Sequence, residues 1–288
     1  MALQYNEFYN ERTGLTVGIR RQLFHEVTPY QTVEVFETDT WGNLMTIDGM
    51  VMLSEKDEFV YHEMMAHLPL LTHPNPENVL IIGGGDGGTA REVLRHESVK
   101  NVDMVEIDEA VVRASKQHMP GVGDFDNPRL NVIYANGLSF VQGPRNTYDV
   151  IIIDGSDPVG PAVDLFKKEF YENCRQCLTE NGVLISQTES PFVPSYHESI
   201  RSVQRAIGEL FPVGRLLLSY IPLYPAGMWS MSIASLQRDP LSDEVLEKID
   251  GRTASFQHAL KYYNKDVHAA AFALPGFVKQ IIEPESGG

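Results

Sequence analysis

The sequence predicts an α/β protein: a small antiparallel β domain, then a larger domain whose mostly parallel sheet carries helices on both faces and an antiparallel edge. Two observations indicate this architecture. Residues 14–54 consist of short β-rich runs separated by turn signals, whereas the later part alternates strand-like apolar runs with helical stretches. The pattern changes at "THPNPEN" (residues 72–78), so we place the domains at residues 1–73 and 74–288.

Four runs in the N-terminal part have strand character: "LTVGIRRQLF", "QTVEVFET", "GNLMTID" and "MVMLS". Turn signals at Thr28-Pro29, Trp41-Gly42 and Asp48-Gly49 separate these runs, so a small antiparallel sheet is expected. The next segment, "EKDEFVYHEMMAHLPLLTHP", has apolar residues at helical spacing and predicts a connecting helix that ends at Pro74.

Five apolar runs predict the first strands of the larger domain: "NVLIIG", "NVDMVEI", "LNVIYA", "YDVIIID" and "GVLISQ". The helical stretches between and after them are residues 87–96, 109–118, 137–142, 167–178 and 195–210. After Phe211, "GRLLLSYIP" and "MWSMSIAS" follow each other with only a short loop between them. This breaks the alternation and predicts the antiparallel edge of the sheet.

The composition indicates a globular protein that does not bind nucleic acid. The chain has 288 residues, 43% hydrophobic and 22% charged, and its formal net charge of −16 repels phosphate. The N-terminus has no signal-peptide pattern, and no apolar run is long enough to span a bilayer. Cys174 and Cys177 fall on the apolar stripe of a predicted helix and are expected as core thiols. Reduced thiols fit a cytoplasmic protein without membrane contact.

The stretch "VLIIGGGDGGTAREV" indicates a nucleotide-type ligand. Gly83, Gly85 and Gly88 fit G-x-G-x-x-G between a strand and a helix, the glycine turn of Rossmann-like sheets. Glu106 ends the next strand, where an acid that binds a ribose belongs. Asp86 lies inside the turn and would face the pyrophosphate of a dinucleotide at a high electrostatic cost. A sulfonium nucleoside without a carboxylate is cationic near its sulfur and suits Asp86 best.

Two further acids follow the fourth strand of the larger domain, in "IIIDGSDPVGP". Asp154 and Asp157 lie just beyond the carboxyl end of that strand, where ligands bind in open α/β sheets, and Pro161 stiffens the loop. Asp86 and Glu106 follow neighbouring strands at the same edge of the sheet. The four acids therefore predict a pocket that attracts cations.

Two motifs for other chemistry are incomplete. "HEMMAH" is H-E-x-x-x-H rather than H-E-x-x-H, and the five-residue spacing sets His62 and His67 roughly 140° apart on a helix. They cannot share one zinc ion. No G-x-S-x-G motif or Cys/His pair indicates a covalent nucleophile.

Six segments spread over the whole chain carry a resemblance to a known family: "IDGMV" (47–51), "EKDEFVYHEMMAHLPLLTHPNPENVLIIGGGDGG" (55–88), "MVEID" (104–108), "DGSDPVGPA" (154–162), "YIPLYPAGMWS" (220–230) and "HAAAFALP" (268–275). They resemble the polyamine aminopropyltransferases, in particular the bacterial spermidine synthases. The resemblance implies an N-terminal β domain and a Rossmann-like, methyltransferase-type catalytic domain. It also implies transfer of an aminopropyl group from decarboxylated S-adenosylmethionine to putrescine, giving spermidine and methylthioadenosine.

Under this resemblance the decarboxylated nucleoside is a co-substrate, no metal or other cofactor is expected, and the chain forms a homodimer or homotetramer. Asp154 would be the proton acceptor, and Asp86 would bind the aminopropyl ammonium. The nucleoside would be held by Gln31, His62, Gly83, Gly85, Asp86, Glu106, Asn136, Gly137 and Pro161. The amine side would consist of Tyr61, His62, Asp86, Asp154, Asp157, Gln187 and Tyr224.

The chain departs from the family pattern at two places. Asn136-Gly137 stands where the family usually has Asp-Gly; the asparagine carbonyl can still accept from an adenine amino group, with less charge. Leu223 stands where a small hydroxyl residue is common, beside the expected amine site. The acceptor therefore stays open between putrescine, cadaverine, agmatine and spermidine.

Three alternative functions share parts of this pattern. A small-molecule methyltransferase that uses intact S-adenosylmethionine has the same fold, but it predicts no acid at position 86. A catalytically inactive binding subunit is disfavoured because Asp86, Asp154 and Asp157 are all present. An NAD-dependent dehydrogenase would bring a pyrophosphate to Asp86 and is the least favoured.

Overall fold

The structure is a computed structural model that describes residues 3–155 and 164–283. Its strands are β1 (Leu3–Phe8), β2 (Gly14–Val27), β3 (Thr32–Thr38), β4 (Asn43–Ile47), β5 (Met50–Ser54), β6 (Asn78–Gly83), β7 (Asn101–Glu106), β8 (Leu130–Tyr134), β9 (Tyr148–Asp154), β10 (Leu178–Glu189), β11 (Val213–Tyr220) and β12 (Met228–Ser235). Its helices are α1 (Glu58–Thr72), α2 (Gly88–Leu94), α3 (Glu109–His118), α4 (Gly137–Phe140), α5 (Lys168–Cys177), α6 (His197–Leu210), α7 (Asp243–Leu246), α8 (Ile249–Thr253), α9 (Lys265–Ala270) and α10 (Gly276–Ile282).

The N-terminal strands form a five-stranded antiparallel sheet in the order β1-β2-β3-β4-β5. This confirms the small antiparallel sheet, but β1 lies outside the runs predicted as strands. Only Glu7 of its six residues is buried, so β1 lacks the apolar alternation that would mark a strand. It is stabilised instead by pairing with β2, where Leu3 faces Ile19 and Phe8 faces Gly14.

The larger sheet has seven strands in the order β11-β12-β10-β9-β6-β7-β8. Strands β6 to β10 are parallel, while β12 runs antiparallel to β10 and to β11. The predicted alternation and its antiparallel edge are therefore confirmed. In the centre, β6 pairs with β9 so that Gly83 lies opposite Asp154. Both strands end at this point, and the ligand side of such a sheet lies beyond their carboxyl ends.

Apolar layers cover both faces of the larger sheet. One layer packs α1 and α2 against the sheet and includes Met64, Leu68 and Val93. The other packs α5 and α6 and contains Cys174 and Cys177, which are fully buried thiols as predicted. The sheet is thus buried on both sides, as a parallel sheet requires.

The small sheet packs against α3 of the larger domain. Val33, Val35 and Met45 form one apolar cluster with Ala110 and Val111. This contact brings the turns of the small sheet to the carboxyl edge of the large one. Among the described residues, no helix has the length and apolar character needed to cross a membrane.

Candidate active site

The glycine turn after β6 runs directly against the end of β9. Gly83 and Gly84 have φ values of 83° and 66°, and the N–H of Gly84 donates to the carbonyl oxygen of Asp154 at 2.9 Å. A Cβ atom on Gly83 would lie 2.2 Å from that oxygen. Glycine is required here because any side chain would separate the two strand ends. The turn thereby brings Asp86 and Asp154 to one site.

Asp154 lies at the floor of this site with both carboxylate oxygens hydrogen-bonded. Tyr61 of α1 donates to Oδ1 at 2.7 Å, and Thr89 of α2 donates to Oδ2 at 2.6 Å. Burial and the negative charge of Asp86 raise the pKa of Asp154, and together they outweigh the opposing effects of His62 and the two hydroxyls. Asp154 is therefore a better proton acceptor than an exposed aspartate.

Asp86 has the opposite environment. Its Oδ1 accepts the N–H of Gly88 at 2.7 Å and lies 3.2 Å from Nε2 of His62. Burial favours the neutral acid, but His62 and the Gly88 N–H lower the pKa of Asp86 below its usual value. Asp86 therefore stays ionised, whereas the pKa of Asp154 in the same site is raised. Two acids with pKa values pushed apart are typical of acid–base sites.

Glu106 ends β7 on the other side of the glycine turn. Its Oε1 accepts from the N–H of Asp108 at 2.9 Å, and its Oε2 accepts from Gly85 at 3.2 Å. A Cβ atom on Gly85 would lie 2.7 Å from Oε2, which explains the second glycine of the motif. Burial raises the pKa of Glu106 to about 7 despite these bonds.

These acids line a cleft between the two sheets that holds roughly 1380 Å³ of atom-free space, open mouth included. The cleft is lined by every predicted site residue that the structure describes: Gln31, Tyr61, His62, Gly83, Gly85, Asp86, Glu106, Asn136, Gly137, Asp154, Gln187 and Tyr224. Asp157 and Pro161 lie outside the described residues.

Three polar side chains that line the cleft make hydrogen bonds to the backbone. Gln187 donates through Nε2 to the carbonyl of Gly155 at 3.1 Å, and Tyr224 donates to the carbonyl of Met52 at 2.6 Å. Asn136 accepts the N–H of Leu138 at 2.8 Å and so caps α4. Its carbonyl oxygen therefore has one acceptor position left for a ligand.

Leu223 lies next to Tyr224 and packs against the small sheet. Its side chain is 3% exposed and packs against Val17, Leu44 and Val51 of the small sheet, and Val51 itself lines the cleft. The Leu223 N–H donates to Asp57 at 3.1 Å and so anchors the loop that carries Tyr224.

Three residues that support the site have only weak sequence signals. Thr89 bonds Asp154 but looks like an ordinary first-turn residue of α2. Glu58 and Arg91 lie behind His62; the i, i+4 spacing of Glu58 and His62 is the signal that could have indicated their contact. Among the described residues, no group of three or more His, Cys, Asp or Glu side chains is arranged to hold a metal ion.

Family comparison agrees with this geometry. Residues 58–243 match the spermine/spermidine synthase domain, and residues 4–55 match the spermidine synthase tetramerisation domain. The chain belongs to the spermine/spermidine synthase family. The family resemblance of the sequence is thereby confirmed, and the protein is an enzyme of the aminopropyltransferase class.

Relatives of this family align over nearly the whole chain. The polyamine aminopropyltransferase of Bacillus subtilis is 46% identical over 283 residues, covering 98% of this chain and 99% of the relative. Polyamine aminopropyltransferase 1 of Bacillus cereus is 47% identical over 285 residues, with 98% and 100% coverage.

Solved structures of spermidine synthases also match this chain over nearly its whole length. A spermidine synthase in complex with the transition state analogue AdoDATO has a TM-score of 0.91 and 41% identity, covering 97% of this chain and 94% of that chain. The spermidine synthase from Thermotoga maritima has a TM-score of 0.90 at the same identity and coverage. The predicted fold is confirmed by these likenesses.

Proposed function

We propose that this enzyme transfers an aminopropyl group from decarboxylated S-adenosylmethionine to putrescine, giving spermidine and methylthioadenosine, with Asp154 as the proton acceptor. The observation that carries the proposal is the opposed tuning of two carboxyls in one cleft: Asp86 is held ionised and the pKa of Asp154 is raised. The names of the relatives and the analogue bound to the similar structure support the same chemistry.

The nucleoside half of the donor fits the side of the cleft formed by β7. Glu106 would accept hydrogen bonds from the two ribose hydroxyls, with Gln31 of the small sheet on the other side. Asn136 and Gly137 follow β8 and would receive the adenine, where the remaining acceptor position of Asn136 faces a donor amino group. No phosphate has to be accommodated beside Asp86.

Asp86 would pair with the ammonium of the aminopropyl arm. The ionised carboxylate and this ammonium attract each other in a partly buried site, where charge-assisted hydrogen bonds are strong. Intact S-adenosylmethionine would bring its carboxylate to the same place and be repelled. The acid in the glycine turn thus selects the decarboxylated donor.

The reaction would be a direct displacement. The amine nitrogen attacks the methylene carbon next to the sulfonium, so a C–N bond forms, the C–S bond breaks, and a neutral thioether leaves. An alkyl amine with a pKa near ~10.4 is almost fully protonated at neutral pH, so the enzyme must supply the free base. Asp154 takes the proton, assisted by its raised pKa, and Tyr61 and Thr89 keep its carboxylate in place.

The far ammonium of a diamine would extend toward Gln187 and Tyr224, both of which line the cleft. Asp157 is proposed to bind the acceptor as well, although it lies outside the described residues. Putrescine is the proposed acceptor; cadaverine, agmatine and spermidine are the alternatives.

One incubation tests the proposal. The protein is mixed with decarboxylated S-adenosylmethionine and each of the four amines separately, and the products are identified by mass. We expect spermidine and methylthioadenosine from putrescine, at a higher kcat/KM than any other amine gives. A higher kcat/KM with another amine would reassign the acceptor, and methyl transfer from intact S-adenosylmethionine would overturn the reaction itself.

We also propose a homodimer or homotetramer assembled through the small sheet. Leu3, Phe8 and Val27 are large apolar side chains on β1 and β2, and each is more than half exposed. Exposed apolar groups of this size mark association surfaces. The match of residues 4–55 to a tetramerisation domain points to the same sheet. Light scattering on the purified chain measures the assembly directly.

A further inference from the structure

A buried chain of charged side chains runs from Asp86 into the protein. His62 contacts one carboxylate with each ring nitrogen: Nδ1 lies 2.6 Å from Glu58 Oε2, and Nε2 lies 3.2 Å from Asp86 Oδ1. Arg91 donates to both oxygens of Glu58, at 3.0 and 2.9 Å. The side chains of His62 and Glu58 are only 2% and 7% exposed. Negative and positive groups thus alternate from the cleft to helix α2.

Only a charged imidazole satisfies both contacts of His62. A neutral ring has one N–H donor, so its second nitrogen would turn a lone pair toward a carboxylate. Burial opposes the charge, but Asp86 and Glu58 outweigh it and raise the pKa of His62 to about 10. In turn, His62 and Arg91 overcome the burial of Glu58 and lower the pKa of that carboxyl.

The position of the ring is also closed on its other sides. A Cβ atom on Gly88 would lie 2.3 Å from the His62 ring, so the imidazole lies directly on the first turn of α2. The Tyr61 ring packs edge-on against it at 5.5 Å. The charged groups that act on the ring are Glu58 from α1, Asp86 from the glycine turn, Arg91 behind Glu58, and Asp154 from β9.

This row of charged side chains contacts only one of the two carboxylate oxygens of Asp86. Oδ1 takes both the Gly88 N–H and His62, and among the described residues no hydrogen bond or ion pair engages Oδ2. The side chain is 15% exposed and lines the cleft. A buried ion pair contributes little stability compared with apolar packing, so stability alone does not account for this row of charged side chains.

We propose that Glu58 and Arg91 are positioning residues: they hold the His62 ring charged and oriented on Asp86 Oδ1, which keeps Oδ2 available for the ammonium of the aminopropyl donor. The identity of that ammonium rests on the proposed function. The chain of contacts is a property of the ligand-free protein, so it can be tested without turnover.

The first measurement is an NMR titration of the His62 ring in the ligand-free protein, assigned with His62→Gln. We expect the wild-type ring to titrate near pH 10. Glu58→Gln should lower the midpoint by about one pH unit or more, because one of the two facing charges is lost. Arg95→Gln is the matched control: Arg95 also pairs on α2, with Glu92 rather than Glu58, and should leave the midpoint unchanged.

The second measurement is steady-state kinetics with decarboxylated S-adenosylmethionine. At pH values above the lowered midpoint, Glu58→Gln should raise the KM for this donor by about 10- to 100-fold, with a much smaller effect on kcat. Lowering the pH below that midpoint should return the KM to the wild-type value. In the His62→Gln background the same change should have little further effect. If Glu58→Gln fails to fold, as judged by circular dichroism, Arg91→Lys replaces it, since lysine cannot form the two-pronged contact.

An unchanged His62 midpoint in Glu58→Gln would overturn the positioning role, as would an unchanged KM for the donor in Arg91→Lys where that variant replaces it. So would an equal rise in KM in the His62→Gln background, since Glu58 would then act independently of the ring. Failure of the wild-type protein to use the donor with any amine would refute the proposed function instead, and the NMR midpoint would still decide whether Glu58 charges His62.

Discussion

Asp86→Asn tests whether the acid in the glycine turn selects the donor. The amide is nearly the same size as the carboxylate, and its oxygen can still accept the Gly88 N–H at the position of Oδ1. The change therefore removes the charge while keeping the turn. It should lower the affinity for decarboxylated S-adenosylmethionine. It should also reduce the difference between the affinities for the decarboxylated and the intact nucleoside.

The size of the effect follows from the geometry. Two like charges about 4 Å apart at an effective dielectric near 20 cost roughly 4 kcal/mol. His62 lies 3.2 Å from Asp86 and offsets part of its charge, and 15% exposure adds solvent screening. We therefore expect the wild type to discriminate by about 1–3 kcal/mol, on the order of 10- to 100-fold in affinity.

Competition binding of both nucleosides to the wild type and the variant measures this difference. Asp48→Asn is the matched control, because Asp48 lines the same cleft from the small sheet and bonds the Thr32 N–H. Removing its charge should change the affinities for both nucleosides by the same factor. If Asp86→Asn also weakens the two nucleosides by equal factors, Asp86 does not select the donor and the electrostatic explanation of the turn is wrong.

Three further predictions address the other acids and the turn. Asp154→Asn should lower turnover by about 100- to 10,000-fold and leave methylthioadenosine affinity nearly intact; near-normal turnover would remove Asp154 from proton transfer. Glu106 has a raised pKa of about 7 in the free protein, and ribose hydroxyls that donate to it should lower that pKa on binding. Methylthioadenosine binding should then release protons near pH 7, and its affinity should rise as the pH increases from about 6 to about 8. Calorimetry in two buffers of different ionisation enthalpy detects the proton release. Glu106→Gln should abolish this release. Gly83→Ala should lower both stability and activity, because its Cβ would meet the Asp154 carbonyl at 2.2 Å; an unchanged melting temperature would contradict this.

Much of the fold could be predicted because it is encoded locally. The alternation of apolar strands and helices, the glycine turn between β6 and α2, and the acids at strand ends are all properties of short segments. Asp86 could be recognised as unusual for the same reason: it lies inside a turn that otherwise suits anions. Strand β1 could not be predicted from its sequence, because its stability comes from pairing with β2 rather than from its own apolar pattern.

The properties of the site depend on contacts between distant segments, and only the tertiary structure shows them. Tyr61 bonds Asp154 across 93 positions of sequence, and Arg91 reaches Glu58 across 33. The side chain of Leu223 packs against the small sheet, and its neighbour Tyr224 lines the cleft. No pattern in the sequence specifies such pairings.

The sequence by itself placed Asp86, Glu106 and Asp154 at the carboxyl edge of the sheet; the tertiary structure decided the ionisation of each acid. Asp86 and Asp154 are the same residue type, yet their pKa values move in opposite directions. The difference arises because His62 and a helix N–H stabilise one carboxylate, whereas burial and the first carboxylate destabilise the other. Ionisation depends on solvent exclusion and on charges a few ångströms away, and folding alone creates both.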